Sequence, residues 1–197
     1  MSSEAVKPGQ SPEQRLRVGV TGHRRLPDDP RLAARVRDAL ALIRSMTPGG
    51  REAGLTVVSP LAEGADRVVA REVLKEGSAM LEVPLPVPCD AYLDDFDTAR
   101  SKEEFLALLA RATLSVTMAP ARTREEMYEA AGRYVVDHSQ AIIAIWDGRP
   151  SRGQGGTAEI VELARRQRMP VVWVLSEQPF SLKVDTGTGE WRELVPD

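Results

Sequence analysis

Apolar residues fall in short continuous blocks, and between the blocks they recur at helical spacing. The blocks are Leu16 to Gly22, Leu55 to Ser59, Ala79 to Leu85, Thr113 to Met118, Ala141 to Trp146 and Val171 to Leu175. Their length and lack of alternation predict buried strands. Pro84 suits the end of the third strand better than its middle. After the first block, Leu32, Val36, Ala39, Leu40 and Ile43 mark one face of a helix opened by Pro30 and ended by Pro48-Gly49-Gly50. Ala65, Val68, Val69 and Val73 mark a second helix, starting at Gly64. Met127, Ala130, Ala131, Tyr134, Val135 and His138 mark another, with Thr123 and Glu126 spaced as a capping box. A short helix around Glu103 to Ala112 and a last one from Gly156 to about Arg168 complete the set. A polar excursion, Asp90 to Phe96, interrupts the alternation.

Strands alternating with helices predict an α/β fold: a doubly wound, mainly parallel, Rossmann-like sheet with helices on both faces. Residues 1–14 form a polar, flexible lead-in, and 15–176 the Rossmann-like domain. Residues 177–197 form a tail with the makings of a short hairpin about Thr186-Gly187-Thr188-Gly189. There is no internal repeat.

Composition narrows the function classes. Of 197 residues, 42% are hydrophobic and 28% charged, with a net charge of −3. An overall basic field is absent, so a nucleic-acid partner is not expected, although a local arginine cluster still suits one compact anion. Cys89 is the single cysteine, and the first residues lack the apolar core of a signal peptide. No apolar run is long enough to span a bilayer. A cytoplasmic protein without a membrane partner is expected. His23, His138 and Cys89 do not make a metal site. His138 reads as structural, at a helix end. Neither a metal nor a cofactor is expected.

In such folds ligands bind outside the carboxyl ends of the strands, where strand order reverses. Four loops fall there. After the first strand, Thr21, Gly22, His23 and Arg24 offer a hydroxyl, a close-approach glycine, a proton carrier and an anion fork. After the second, Glu63, Gly64 and Asp66 either meet a ribose or complement a helix dipole. Arg122 follows the fourth. After the fifth come Asp147, Gly148, Gly153, Gly155, Gly156, Thr157 and Glu159. A buried strand, a glycine-rich turn and a helix start build an anion site from main-chain N–H groups. Thr157 caps that helix, contacts a phosphate, or does both, and Glu159 lies close enough to touch a ribose in the same pocket. Tyr92 and Phe96 either stack on a base or pack on the core. Neither G-x-G-x-x-G, G-x-x-x-x-G-K-[ST] nor G-x-S-x-G occurs.

Thr21-Gly22-His23-Arg24, Leu61-Ala62-Glu63-Gly64-Ala65-Asp66-Arg67 and Ile145-Trp146-Asp147-Gly148 with Gly155-Gly156-Thr157 together resemble the SLOG superfamily. This group joins the SMF/DprA proteins with the LOG, lysine-decarboxylase-like, phosphoribohydrolases. The resemblance spans roughly residues 15–176. It implies a Rossmann-like domain that binds a nucleotide or nucleotide-derived ligand, and a homodimer. LOG enzymes carry GGxGTxxE, with glutamate three residues after threonine. Here Ile160 holds that position and Glu159 precedes it, rotated by about 100° of helix. The departure favours a sensor or binding module for an ADP-ribose-like ligand or a nucleoside monophosphate. The alternative is an N-glycosidase using Glu159 as catalytic carboxylate and Arg24 or Arg122 as phosphate clamp.

Overall fold

The structure, a computed structural model, describes residues 15–150 and 156–194. The lead-in 1–14 and two of the predicted site residues, Gly153 and Gly155, lie outside them.

The elements alternate along the chain: β1 Leu16–Gly22, α1 Pro30–Met46, β2 Leu55–Val58, α2 Ala65–Val73, β3 Met80–Leu85, α3 Cys89–Leu93 and α4 Ala99–Leu109. There follow β4 Leu114–Thr117, α5 Arg124–Asp137, β5 Ala141–Trp146, α6 Thr157–Arg166, β6 Val171–Leu175, β7 Leu182–Asp185 and β8 Arg192–Leu194. The strands form one sheet in the order β4-β3-β2-β1-β5-β6-β7-β8. Pairing is parallel from β4 through β6 and antiparallel from β6 to β8. This is a doubly wound, Rossmann-like α/β fold.

Successive side chains of a strand face opposite sides, so β2, β5 and β6 feed two cores, whereas β1 and β3 give their apolar residues to one. Ile143 and Ile145 of β5, with Val57, Val172 and Val174, pack under α1 and α2. Ile142 and Ala144, with Val58 and Val171, pack under α5 and α6 through Val135, Ile160 and Ala164. Apolar demand on both faces explains the unbroken runs seen in the sequence. β4 departs from the expected double cover. It is a sheet edge, Leu114 is 47% exposed, and Ser115 and Thr117 bring no apolar surface to bury.

The excursion after β3 is ordered by aromatic packing. Tyr92, Phe96 and Phe105 are buried, with ring centroids 5.1 to 5.4 Å apart. Phe96 thus belongs to the core. α4 begins earlier than the periodicity predicts because Thr98 caps it, accepting from the Ser101 amide at 3.1 Å. Pro84 lies one residue from the end of β3. His138 caps α5 and stacks on Tyr134 at 3.7 Å.

Beyond Leu175 the chain continues the sheet as the β7–β8 pair, so the predicted tail, as far as residue 194, is part of the architecture. Asp185 secures it. This fully buried carboxylate accepts the amides of Gly187, Thr188 and Gly189 at 2.9 to 3.0 Å and Arg165 Nε at 2.9 Å. Burial pushes its pKa up, but Arg165 and the three amides outweigh burial and hold it below the ordinary value. Among the described residues no helix is long and apolar enough to cross a membrane. Asp185→Ala leaves three amides and a guanidinium without their acceptor and should lower stability by about 3 kcal/mol in urea unfolding at pH 7. A carboxylate with a depressed pKa loses its contribution as pH falls, so the gap between wild type and variant should narrow in acid.

Candidate functional site

Sheet order reverses between β1 and β5. From β1 the chain proceeds outward through β2, β3 and β4, then returns to the other side of β1 as β5. Loops leaving such neighbours diverge and open a crevice. A cleft of about 770 Å³ occupies that place. It brings together Thr21, Gly22, His23 and Arg24 from the end of β1, Asp66 from α2, Asp147 after β5, and Gly156 and Thr157 at the start of α6.

The loop after β1 is pinned through its backbone. His23 N–H donates to Ile145 O at 2.9 Å, extending the ladder one step, and His23 O accepts from Ala65 N–H at 3.0 Å. Gly64 makes the second contact feasible: its φ is +77°, and a side chain there would collide with the carbonyls of His23 and Arg24. Gly64 therefore docks α2 against the loop and does not line the cleft. Gly148 likewise has φ +83°, and a Cβ would come within 2.8 Å of Trp173. It makes room for that ring, outside the cleft lining.

Four carboxylates line the cleft, Asp66, Asp95, Glu125 and Asp147, and three of them have different surroundings. His23 Nε2 lies 3.1 Å from Asp147 Oδ1, and the Arg149 amide donates to the same oxygen at 3.0 Å. Burial pushes Asp147 up, but the Arg149 amide, His23 and the Arg149 charge together hold it below the ordinary carboxylate value. Asp66 is 4% exposed. Its Oδ2 accepts from Ala62 N–H at 3.1 Å. Burial pushes its pKa up to about 7, against the opposing pull of the Ala62 amide, Ser59, Arg24 and Arg67. Tyr92 borders it, its phenol pushed well up by burial and by Asp66. Asp95 is the third. It receives Arg124 Nη2 at 2.6 Å and the Tyr128 hydroxyl, with Arg24 Nη2 3.8 Å away. The Arg24 and Arg124 guanidiniums lie 5.8 and 5.6 Å from the Tyr128 ring centroid. Two arginines thus share one carboxylate at this end of the cleft.

The first turn of α6 forms another wall. Side chains cap α1 through Asp29, α4 through Thr98 and α5 through the Thr123–Glu126 box, whereas among the described residues α2, α3 and α6 start at Gly64, Pro88 and Gly156 without a side-chain bond. Thr157 is the first helical residue, not the cap. The positive end of the α6 dipole faces the cleft through Gly156, Thr157 and Ala158.

The remaining predicted residues lie elsewhere. Glu159, expected in the same pocket, is exposed and lines a neighbouring hollow with Arg133 and Arg166. The helix register that buries Ile160 against Gly132 turns Glu159 away. Glu63 accepts from the Ser101 hydroxyl and tethers α4. Arg122 is exposed, its amide donating to Glu126 at 2.8 Å. Arg124 and Tyr128 enter the cleft instead. Their i,i+4 spacing was the signal that would have found them. Asp95 and Trp146 were also missed as cleft residues. Among the described residues no group of three or more metal-ligating side chains is assembled.

Compared with known proteins, the chain matches no family model and no curated protein.

In the fold Asp66 holds its proton to about pH 7, and in an unfolded chain only to about pH 3.9. The native state therefore binds the extra proton between these values, and stability falls as pH rises from about 4 to about 7. Asp66→Asn should flatten that slope, read as urea midpoints at half-unit pH steps. Parallel curves for wild type and variant would contradict the buried, protonated carboxyl.

Proposed function

We propose that the chain binds a nucleotide or nucleotide-derived ligand, ADP-ribose-like or a nucleoside monophosphate, in the switch-point cleft as a sensor or binding module. The observation that carries this reading is the start of α6, which has no side-chain cap among the described residues, opening onto the same cleft as Arg24. Main-chain N–H groups at a helix start and a guanidinium fork are complementary to phosphate. The cleft volume lies within the usual range for small-molecule sites, about 300–1,000 Å³. The resemblance to the SLOG superfamily, carried by the motifs of three of these loops, supports the same ligand class.

Thermal shift with AMP, ADP-ribose and NAD tests it. A ligand at about 100 times its Kd should stabilise the protein by about 2.7 kcal/mol. Arg24→Ala and Gly156→Val should each abolish that shift. A flat response to all three nucleotides would sink the proposal.

Asp66 favours a second reading, hydrolysis of the N-glycosidic bond of a bound nucleoside monophosphate. Glu159 is outside the cleft, but Asp66 is in it and carries a proton near neutrality. General acid catalysis wants a pKa near the working pH. Asp66 would protonate the departing base while water adds to the sugar carbon, and the water's released proton would restore the acid. Chromatography of AMP incubations separates the readings. Free adenine, lost in Asp66→Asn, favours hydrolysis, and intact AMP favours binding alone.

A further inference from the structure

We infer that Trp146 is a stacking platform for an aromatic base, so that the cleft selects nucleotides over sugar phosphates. The inference rests on the nucleotide reading and adds to it the residue that recognises the base.

Three large aromatic side chains line the cleft among the described residues: Tyr92, Tyr128 and Trp146. Two are committed. Tyr92 is 1% exposed and meets Phe96, Phe105 and Tyr128 edge to face. Tyr128 carries the Arg24 and Arg124 guanidiniums over its ring and spends its hydroxyl on Asp95. Trp146 is half-buried. Trp173 packs beside it with centroids 5.0 Å apart, the side chain also rests against the core beneath α5 and α6, and the residue lines the cleft.

The indole is also held in place before any ligand arrives. Its Nε1 donates to Arg149 O at 2.9 Å, and Trp173 Nε1 donates to Trp146 O at 2.9 Å. Trp173 is itself braced by Trp191 at 5.3 Å and by the Lys183 ammonium at 5.1 Å. A ring fixed in this way loses little side-chain freedom when a base covers it. Trp146 ends β5, and the next helix start is α6, so an aromatic side chain and main-chain donors for an anion stand at the two ends of one connection. Stacking accepts any base, since every base has a π face. The platform therefore distinguishes base from no base, rather than adenine from guanine.

Calorimetric titration of the full chain with AMP and with ribose 5-phosphate tests the platform. Wild type should bind AMP at least about tenfold more tightly than ribose 5-phosphate, a difference of about 1.4 kcal/mol. Trp146→Phe should keep most of that preference. Trp146→Leu should remove it while leaving ribose 5-phosphate affinity unchanged, which also shows that the variant is folded. In a Trp173→Phe, Trp191→Phe protein, AMP should quench the remaining Trp146 emission, a readout that stands even if Trp146→Leu fails to fold. Equal affinity of wild type for the two probes, an AMP preference that survives in Trp146→Leu, or unquenched Trp146 emission would each overturn the platform while leaving phosphate binding in place. Binding of neither probe would overturn the nucleotide reading and the platform with it.

Discussion

Parallel pairing of β1 with β5 is the constraint on which the rest of the molecule depends. Thr21 and Gly22 sit opposite Ala144 and Ile145, and the ladder runs one hydrogen bond further, to His23. Because β1 takes β2 as its other neighbour, the chain winds away from this seam in both directions. Loops that leave the seam cannot follow one another, and a cleft remains between them. Its walls are then set by packing. Gly64 lets α2 press against the first loop, and Gly148 lets the fifth turn under Trp173.

Within these walls, similar carboxyl groups are driven to opposite protonation states. Asp147 has an amide, an imidazole and a guanidinium near its oxygens and stays ionised, whereas Asp66, shut off from water, keeps its proton to about pH 7. Asp95 is satisfied by two arginines and a tyrosine. The cleft therefore presents hydrogen-bond donors and acceptors of both kinds within one small volume, which suits a ligand that joins phosphate, sugar hydroxyls and a base.

Much of this was legible in the sequence, for a physical reason. Strands buried on both faces leave unbroken apolar runs, and β5 and β6 begin and end where those runs do. The carboxyl ends of β1, β2 and β5 named loops of the cleft, including Thr21 to Arg24, Asp66, Asp147 and Thr157. The expectation failed where the answer depended on rotation about a helix or on distant contacts. Glu159 and Arg122 are each a residue or two from a position that faces the cleft, Ile160 and Arg124. Glu63 has the right loop but is held by Ser101, which is close only after α4 folds back. Asp95 lies in an excursion whose course is set by Phe96 and Phe105 finding the core, and no local pattern announces that.

Ile160 belongs to two structures at once. It walls the cleft and also lies 4% exposed in the core beneath α5 and α6. A residue in that position answers to the fold and to the cleft together. Exchanging its side chain for a charged one would place new chemistry in the cleft by removing an apolar group from the core, at a loss of about 2–5 kcal/mol in cases of this kind. With native stability of about 5–15 kcal/mol, the change becomes accessible only after the scaffold has gained stability elsewhere. The order in which mutations accumulate would therefore decide whether this cleft could acquire an acidic group at that wall.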